Sequence, residues 1–214
     1  QYGYFMETTP KQVALEKSRK LTKFTDVVTC WNLTSFVFKN MLSTHVVGEK
    51  GEWCDYPLFP EIFRKAGYNV TFITNEFLPQ AKEAVYDFSG GFFLNNPELS
   101  KLQFDHRNTQ LHDLDDGLLT DYDDSLKQYQ KEHNLTIFHL MGQHVSYNFR
   151  YRANQAKFWA SSYEDKRPEL SVKQRKVLSY YDNATLYNDS IVAQIVKRFQ
   201  KQNAIVIYVP DHGE

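Results

Sequence analysis

The chain has 214 residues and carries 25 lysines and arginines against 26 aspartates and glutamates, a formal net charge of −1 with neutral histidines. This balance excludes a polyanion-binding protein recognised by net charge alone, and a hydrophobic content of 42% excludes an intrinsically disordered chain. The length predicts one globular domain with a sizeable core of its own.

The first predicted elements alternate between helix and strand. Residues 21–29 are rich in threonine and valine and predict a strand, and residues 33–42 predict a helix directly after it. Residues 57–66 predict a second helix, because Gly67 stands in the C-cap position, and residues 68–74 (YNVTFIT) predict a β-branched and aromatic strand.

The same step from helix to strand follows twice more. Residues 114–132 carry an approximate helical stripe and precede a buried strand at residues 134–141 (NLTIFHLM). Residues 172–201 predict a long helix, and residues 204–209 (AIVIYV) predict a further buried strand. This alternation predicts an α/β fold with a mainly parallel sheet and helices on its faces.

Both ends of the sequence are abrupt. The first residues contain neither an initiator methionine nor a signal peptide, and the last residues directly follow a predicted strand. The apolar runs are far shorter than the roughly 18 residues of a membrane helix. We therefore expect an interior piece of a larger protein.

Polar residues stand where the predicted strands end. Thr34 follows the first strand, His144 follows residues 134–141, and the pair Asp211 and His212 follows the last strand. Because the carboxyl ends of parallel strands meet at one edge of a sheet, we expect these groups to converge. Carboxylate oxygens and imidazole nitrogens are zinc ligands, and the start of a helix favours an anionic oxygen.

Each of these residues also has an ordinary structural interpretation. Thr34 can be the N-cap of its helix, and Asp211 can cap the next element. His212 can be a surface loop residue, and His144 can be a loop histidine with a local hydrogen bond. The two cysteines, Cys30 and Cys54, leave both a reduced pair and one disulfide open.

The remaining histidines and the acidic run predict no site. His139 lies inside a predicted strand and is interpreted as a core histidine with satisfied hydrogen bonds. Histidines without a partner pattern are interpreted as surface residues: His45, His106, His112 and His133. An acidic run is interpreted as a solvated helix without EF-hand spacing: Asp113, Asp115, Asp116, Asp121, Asp123 and Asp124.

Several motifs together resemble one enzyme family. They are Tyr2-Gly3-Tyr4, Thr8-Thr9-Pro10, DVVTCWNLTSFVFKNMLS from Asp26, FHLMGQHVSYNFRYR from Phe138, YYDNATLYNDS from Tyr180 and IVIYVPDHGE from Ile205. In order and spacing they resemble the phosphoethanolamine transferases of the alkaline phosphatase and sulfatase superfamily. The resemblance is greatest to members that modify lipid A or the lipopolysaccharide core.

The resemblance implies roles for the residues at the strand ends. Thr34 matches the nucleophilic threonine, which is also a metal ligand, and Asp211 and His212 match an aspartate–histidine zinc pair. His144 matches a histidine that contacts the transferred phosphoryl group or a second zinc. The implied reaction has two steps through a phosphoethanolamine-threonine intermediate.

The resemblance also implies a fold and a setting. The fold is a three-layer α/β/α sandwich of alkaline phosphatase type, truncated at both ends. Residues 1–214 are then a partial catalytic domain, without its N-terminal membrane anchor, first strand and C-terminal part. The implied donor is phosphatidylethanolamine, and the acceptor is lipopolysaccharide, lipid A or another glycan or lipid. The implied location is the periplasmic side of a bacterial inner membrane, with no nucleic acid partner.

Two zinc ligands of the family fall outside these residues. A glutamate is expected just before Gln1, and a further histidine is expected beyond Glu214. We therefore expect the 214 residues alone to bind zinc weakly and to turn over slowly.

Two other functions remain open at this stage. One is a phosphoglycerol transferase or phosphodiesterase of the same superfamily, and the other is a non-catalytic glycolipid-binding remnant. Sulfatase activity is disfavoured, because the residues after Cys30 do not form the Cys-x-Pro-x-Arg motif that formylglycine requires.

Overall fold

The computed structural model describes residues 3–29, 31–46, 48–76, 78–79 and 96–213. These residues form two compact units. One unit comprises Gln1–Thr25, Asp113–Asp116 and Met141–Tyr208. The other comprises Asp26–His112, Gly117–Leu140 and Val209–Glu214.

A parallel sheet lies in the second unit. Its strands are β1 (Asn69–Thr74), β2 (His106–Arg107) and β3 (Asn134–His139), in the order β2-β1-β3. Both neighbours pair with β1 in parallel. All residues of the central strand β1 are buried, which explains its unbroken run of β-branched and aromatic residues. The predicted parallel arrangement of residues 68–74 and 134–141 is confirmed.

Helical segments cover both faces of this sheet. Val70 and Phe72 of β1 pack in a core cluster with Phe38 of α2 (Thr34–Met41), beside α3 (Phe59–Lys65) and α4 (Pro97–Gln103). On the opposite face, the ring of Phe138 in β3 meets that of Tyr122 at 5.5 Å. Tyr122 begins a π-helical turn, Tyr122–Leu126, directly after α5 (Asp116–Asp121). Helices on both faces are what the sequence predicts.

Two predicted strands are not formed. Residues 21–29 and 204–209 are irregular in the structure. Val28 is 89% exposed and Ile205 is 91% exposed, so neither run is buried. Both ladder edges of β1 are taken by β2 and β3, and among the described residues no strand pairs with either run. A β-branched run becomes a strand only where a neighbouring backbone satisfies its amides and carbonyls.

The predicted helices are formed with altered bounds. The 172–201 prediction corresponds to α6 (Val172–Phe199), which begins with a capping box between Ser171 and Gln174. The helix predicted over residues 114–132 is instead broken into α5, the π-helical turn and a short 3-10 helix, Lys127–Tyr129. The short α1 (Pro10–Lys17) was not predicted from the sequence.

The first unit is organised around buried polar residues of α6. Asn183 accepts hydrogen bonds from the amides of Lys157 (2.7 Å) and Phe158 (3.0 Å). Its side-chain amide also donates to the carbonyl oxygen of Phe158 at 2.8 Å. One buried side chain thus satisfies three backbone groups of an irregular segment.

Asp189 of α6 caps the start of α1. Its carboxylate accepts from the amides of Lys11 (2.8 Å) and Gln12 (3.0 Å). The N-cap residue Thr9 makes no side-chain cap bond, so the acceptor comes from a distant helix instead. Its negative charge also lies at the positive end of the α1 dipole.

Asp182, two turns earlier on α6, is a buried acid held by tyrosines. Its Oδ2 accepts from the hydroxyls of Tyr163 (2.5 Å) and Tyr4 (3.1 Å). Asp182 is 0% exposed, and burial raises the pKa of its carboxyl, although both tyrosine hydrogen bonds act in the opposite direction. Burial and the neighbouring Asp182 charge in turn raise the pKa of Tyr163.

Replacing the α1 cap should destabilise the protein. In Asp189→Asn an NH2 group replaces one carboxylate oxygen. This group cannot accept a hydrogen bond, so one of the two backbone amides of α1 loses its acceptor. We expect the free energy of unfolding to fall by about 1–3 kcal/mol in urea denaturation. Asp124→Asn removes the same charge at an exposed position and should change it by less than about 0.5 kcal/mol. Equal effects of the two substitutions would contradict the capping role.

The buried carboxyl of Asp182 predicts a pH dependence of stability. Because its folded pKa is raised, the folded state binds more protons than the unfolded state as pH rises above the ordinary value of 3.8. The stability of the wild type relative to Asp182→Asn should therefore fall as pH rises through this window, and then level off above the folded pKa. Urea denaturation of both proteins between pH 4 and pH 8, roughly, measures the difference. A difference independent of pH would show that Asp182 is not responsible.

Candidate functional site

Thr34 lies at the start of α2 but does not cap it. It is the first helical residue, and the N-cap is Leu33, which makes no side-chain cap bond. The structural alternative of Thr34 as an N-cap is therefore wrong. The half-buried residue sits at the positive end of the helix dipole.

The Thr34 hydroxyl lies beside the Asp211–His212 pair. Thr34 Oγ1 is 3.4 Å from His212 Nε2, and the same nitrogen is 3.4 Å from Asp211 Oδ2. His212 Nδ1 lies 3.0 Å from the carbonyl oxygen of Gly213. The carbonyl oxygen can accept a hydrogen bond only from a protonated Nδ1, and in that tautomer the Nε2 lone pair is available to a metal ion.

The hydroxyl of Thr29, which lies before α2, contacts the backbone of Asp211. Thr29 Oγ1 lies 2.7 Å from the backbone carbonyl oxygen of Asp211 and 2.9 Å from that of Trp31. The contact joins the segment before Thr34 to the segment that carries Asp211 and His212. Two stretches that are 182 residues apart in sequence are thereby brought together.

Two distances at this site match the separation between ligands of a tetrahedral zinc ion. Ligands about 2.1 Å from a tetrahedral zinc are separated from one another by about 3.4 Å. Both distances from His212 Nε2, to Thr34 Oγ1 and to Asp211 Oδ2, equal this value. In the described part of the chain no group of three or more histidine, cysteine, aspartate or glutamate side chains could hold a metal. The zinc donors that the described residues offer at this site are therefore one carboxylate, one imidazole and one hydroxyl.

His144 belongs to the other compact unit. It ends a turn in which its amide donates to the carbonyl oxygen of Met141 at 3.1 Å, and its side chain is exposed. The structure thus brings together Thr34, Asp211 and His212 within one unit. The expectation that His144 joins them stays a prediction.

The interpretation of His139 as a core histidine is confirmed. Its Nδ1 lies 3.0 Å from Thr74 Oγ1, and its Nε2 lies 3.4 Å from Glu76 Oε2. The imidazole also packs on the ring of Phe38 at 4.6 Å. Both ring nitrogens have partners, as a buried imidazole requires.

The interpretation of His112 as an unpartnered surface residue is wrong. Its Nε2 lies 2.7 Å from Asp121 Oδ2, and the ring lies so close to Gly117 that a β-carbon there would be 2.2 Å from His112 Cγ. The other histidines interpreted as surface residues lie against tyrosine rings: His45, His106 and His133.

The acidic run is not uniformly solvated, which corrects a second prediction. Asp115 is only 4% exposed, and it accepts hydrogen bonds from the amides of Met141 and Gly142. The sequence contains a signal for this, because Asp115 falls on the apolar stripe that continues through Leu118 and Tyr122. An acid at such a position is buried, and a buried acid needs hydrogen-bond donors.

The structure does not decide between a reduced pair and a disulfide for Cys30 and Cys54. Cys54 is an exposed free cysteine, whereas Cys30 lies outside the described residues. Within the described ranges, no helix combines the length and the apolar character needed to cross a bilayer.

Comparison with known proteins gives one consistent result. A sulfatase family model matches residues 1–214. The phosphoethanolamine transferase EptC of Escherichia coli O18:K1:H7 is 30% identical over 216 residues, which cover 100% of this chain and 36% of that protein. The chain therefore spans little more than a third of the length of this curated relative.

Solved structures show the same likeness. The C-terminal periplasmic domain of EcEptC from Escherichia coli matches with a TM-score of 0.73 at 28% identity, over 94% of this chain and 54% of that one. The same domain in complex with zinc matches with a TM-score of 0.68 at 26% identity, over 94% and 55% of the two chains. These matches confirm the predicted α/β fold of alkaline phosphatase type.

Proposed function

Because the chain belongs to the sulfatase family and is homologous to the phosphoethanolamine transferase EptC, we propose that it is part of a zinc-dependent phosphoethanolamine transferase. The proposed donor is phosphatidylethanolamine, and the proposed acceptor is lipopolysaccharide, lipid A or another glycan or lipid. The observation that carries the proposal is the approach of Thr34 Oγ1 and Asp211 Oδ2 to the same nitrogen of His212, each at 3.4 Å.

In this proposal Asp211, His212 and Thr34 hold the zinc ion. A zinc ion bound there supplies positive charge that lowers the pKa of a hydroxyl and offsets charge on a phosphoryl group. His212 is oriented for this role by the Gly213 carbonyl oxygen at Nδ1, which directs Nε2 to the ligand side. Asp211 contributes a negative charge and a hard oxygen ligand.

Thr34 is the proposed nucleophile. In the first step, the Thr34 oxygen forms a bond to phosphorus, the bond from phosphorus to the diacylglycerol oxygen breaks, and the proton lost by the Thr34 hydroxyl is balanced by one that the leaving diacylglycerol oxygen takes up. This gives phosphoethanolamine-threonine. In the second step, an acceptor hydroxyl or phosphate oxygen attacks phosphorus, and the Thr34 oxygen leaves. The position of Thr34 at the start of α2 favours the anionic oxygens of both steps.

The proposed setting follows from the same relatives. Residues 1–214 form part of a catalytic domain on the periplasmic side of a bacterial inner membrane, held there by N-terminal membrane helices outside these residues. His144 contacts the transferred phosphoryl group or a second zinc. The likeness of this chain to a solved periplasmic domain from Escherichia coli supports this location.

Removing the proposed nucleophile should abolish the covalent intermediate. In the protein expressed from its complete gene, Thr34→Ala should lower the transfer rate on the order of 10³-fold or more. No phosphoethanolamine adduct should then appear on the Thr34 peptide in mass spectrometry after incubation with phosphatidylethanolamine. Thr9→Ala, which removes a hydroxyl that caps no helix amide, is the matched control and should retain the adduct.

The same assay separates the competing functions. A phosphoglycerol adduct formed from phosphatidylglycerol would favour the phosphoglycerol transferase alternative. Absence of any adduct in the wild-type protein would favour a non-catalytic glycolipid-binding protein. An adduct that persists in Thr34→Ala would reject Thr34 as the nucleophile.

Removing the proposed imidazole ligand should weaken zinc binding. In the protein expressed from its complete gene, we expect His212→Ala to raise the zinc dissociation constant by more than about 100-fold in isothermal titration, because one of the ligands that fix the ion is lost. His133→Ala removes an exposed imidazole that lies against Tyr68 and should bind zinc as the wild type does. Equal affinity of the wild type and His212→Ala would remove His212 from the zinc site.

A further inference from the structure

A buried carboxylate holds the turn from which His144 projects. Asp115 Oδ1 accepts from the amide of Met141 at 3.0 Å, and Asp115 Oδ2 accepts from the amide of Gly142 at 2.8 Å. Hydrogen bonds to an ionised acceptor are stronger than neutral ones, and here both oxygens fix successive peptide units. Gly142 has a φ of +54°, a value that strains other residues and that sets the direction of the chain into His144.

The chain beyond Gly142 is held by two further side chains. Gln143 Nε2 donates to Thr185 Oγ1 of α6 at 2.7 Å. The Arg150 guanidinium donates from Nε to the carbonyl oxygen of His144 at 3.2 Å and from Nη2 to that of Val145 at 2.9 Å. The backbone is therefore fixed immediately before, at and immediately after His144.

The neighbouring acid fastens the far end of the same segment. Asp116 pairs with Arg152, which lies two residues beyond Arg150. Asp115 and Asp116 are adjacent in sequence, and they hold residues at opposite ends of the 141–152 segment. Two adjacent acids thus contact both ends of this segment.

The His144 side chain contrasts with this bound backbone, because it is exposed. A fixed backbone with an exposed imidazole presents the side chain to a ligand at low entropic cost.

We infer that Asp115 and Arg150 are positioning residues for His144, which they hold in the conformation that contacts the phosphoryl group of the donor lipid. This inference rests on the proposed function. Neither residue touches the lipid. Each acts through the backbone of the His144 turn, so its effect on transfer requires the His144 imidazole.

A double-mutant cycle tests this dependence. In the protein expressed from its complete gene, Asp115→Asn should lower kcat for phosphoethanolamine transfer about 10-fold to 100-fold with little change in KM. In a His144→Ala background the same substitution should change kcat less than about 2-fold, since the group it positions is already absent. Multiplicative losses in the double variant would overturn the inference.

The control and a second variant guard against a folding defect. Asp113→Asn removes the same charge two residues away at an exposed position, and it should leave kcat unchanged. Arg150→Gln alters a less buried side chain and should lower kcat about 3-fold to 10-fold, again only when His144 is present. A loss of kcat in Arg150→Gln that persists in the His144→Ala background overturns the role of Arg150.

Amide hydrogen exchange separates this inference from the proposed function. The peptide covering Met141 and Gly142 should exchange about 10-fold faster or more in Asp115→Asn than in the wild type or in Asp113→Asn. If this exchange rate is the same in Asp115→Asn as in the wild type, Asp115 does not fix the turn, even when phosphoethanolamine transfer is confirmed. Wild-type protein that transfers no phosphoethanolamine but shows the exchange difference rejects the proposed function and leaves Asp115 a structural residue.

Discussion

The first unit depends on hydrogen bonds from backbone N–H groups to side-chain oxygens. These bonds lie where regular secondary structure ends. Asp189 caps α1, Asn183 satisfies an irregular segment, and Asp115 fixes the turn before His144. A buried amide without an acceptor costs about 1–3 kcal/mol. These side chains therefore remove the cost of unpaired amides in the segments that they contact.

The second unit has the same kind of hydrogen bond at the amino end of its central strand, β1. Asp105 accepts from the amide of Val70 at 2.8 Å, and its own amide donates to the carbonyl oxygen of Val70 at 2.8 Å. The same carboxylate pairs with Arg64 at 2.9 Å. The start of β1 is thereby joined to the turn before β2, so the sheet on which α2 packs is fixed at the amino end of its central strand.

The candidate site lies where two segments of the second unit, distant in sequence, contact each other. Thr34 stands at the first position of a helix that packs on the sheet, and His212 stands beside a contact between Thr29 and Asp211. The Thr34 hydroxyl and His212 Nε2 lie 3.4 Å apart, and the contact between Thr29 and Asp211 joins the two segments that carry them. Side chains that packing already holds in place lose less conformational entropy when they bind a ligand.

The sequence determined much of the fold and part of the site, and the two wrong strand predictions have a common cause. Local pattern was enough for β1, β3 and α6, because buried strands and a long amphipathic helix have distinctive periods. Residues 21–29 and 204–209 also have the composition of strands, but a strand requires a partner, and composition carries no information about partners. The error over the acidic run has a different origin: its charge predicted a solvated helix, and the position of Asp115 on an apolar stripe was not weighed against that charge. The sequence by itself determined the residue types and motifs of the site: a threonine after an apolar segment, an aspartate–histidine pair and a histidine after a Met-Gly turn. Only the tertiary structure decided that Thr34 does not cap its helix, that its hydroxyl lies 3.4 Å from His212, and that Asp115 is buried against the His144 turn. The physical reason is that motifs depend on neighbours in the chain, whereas hydrogen bonds and metal-ligand distances depend on neighbours in space, and these are set by packing.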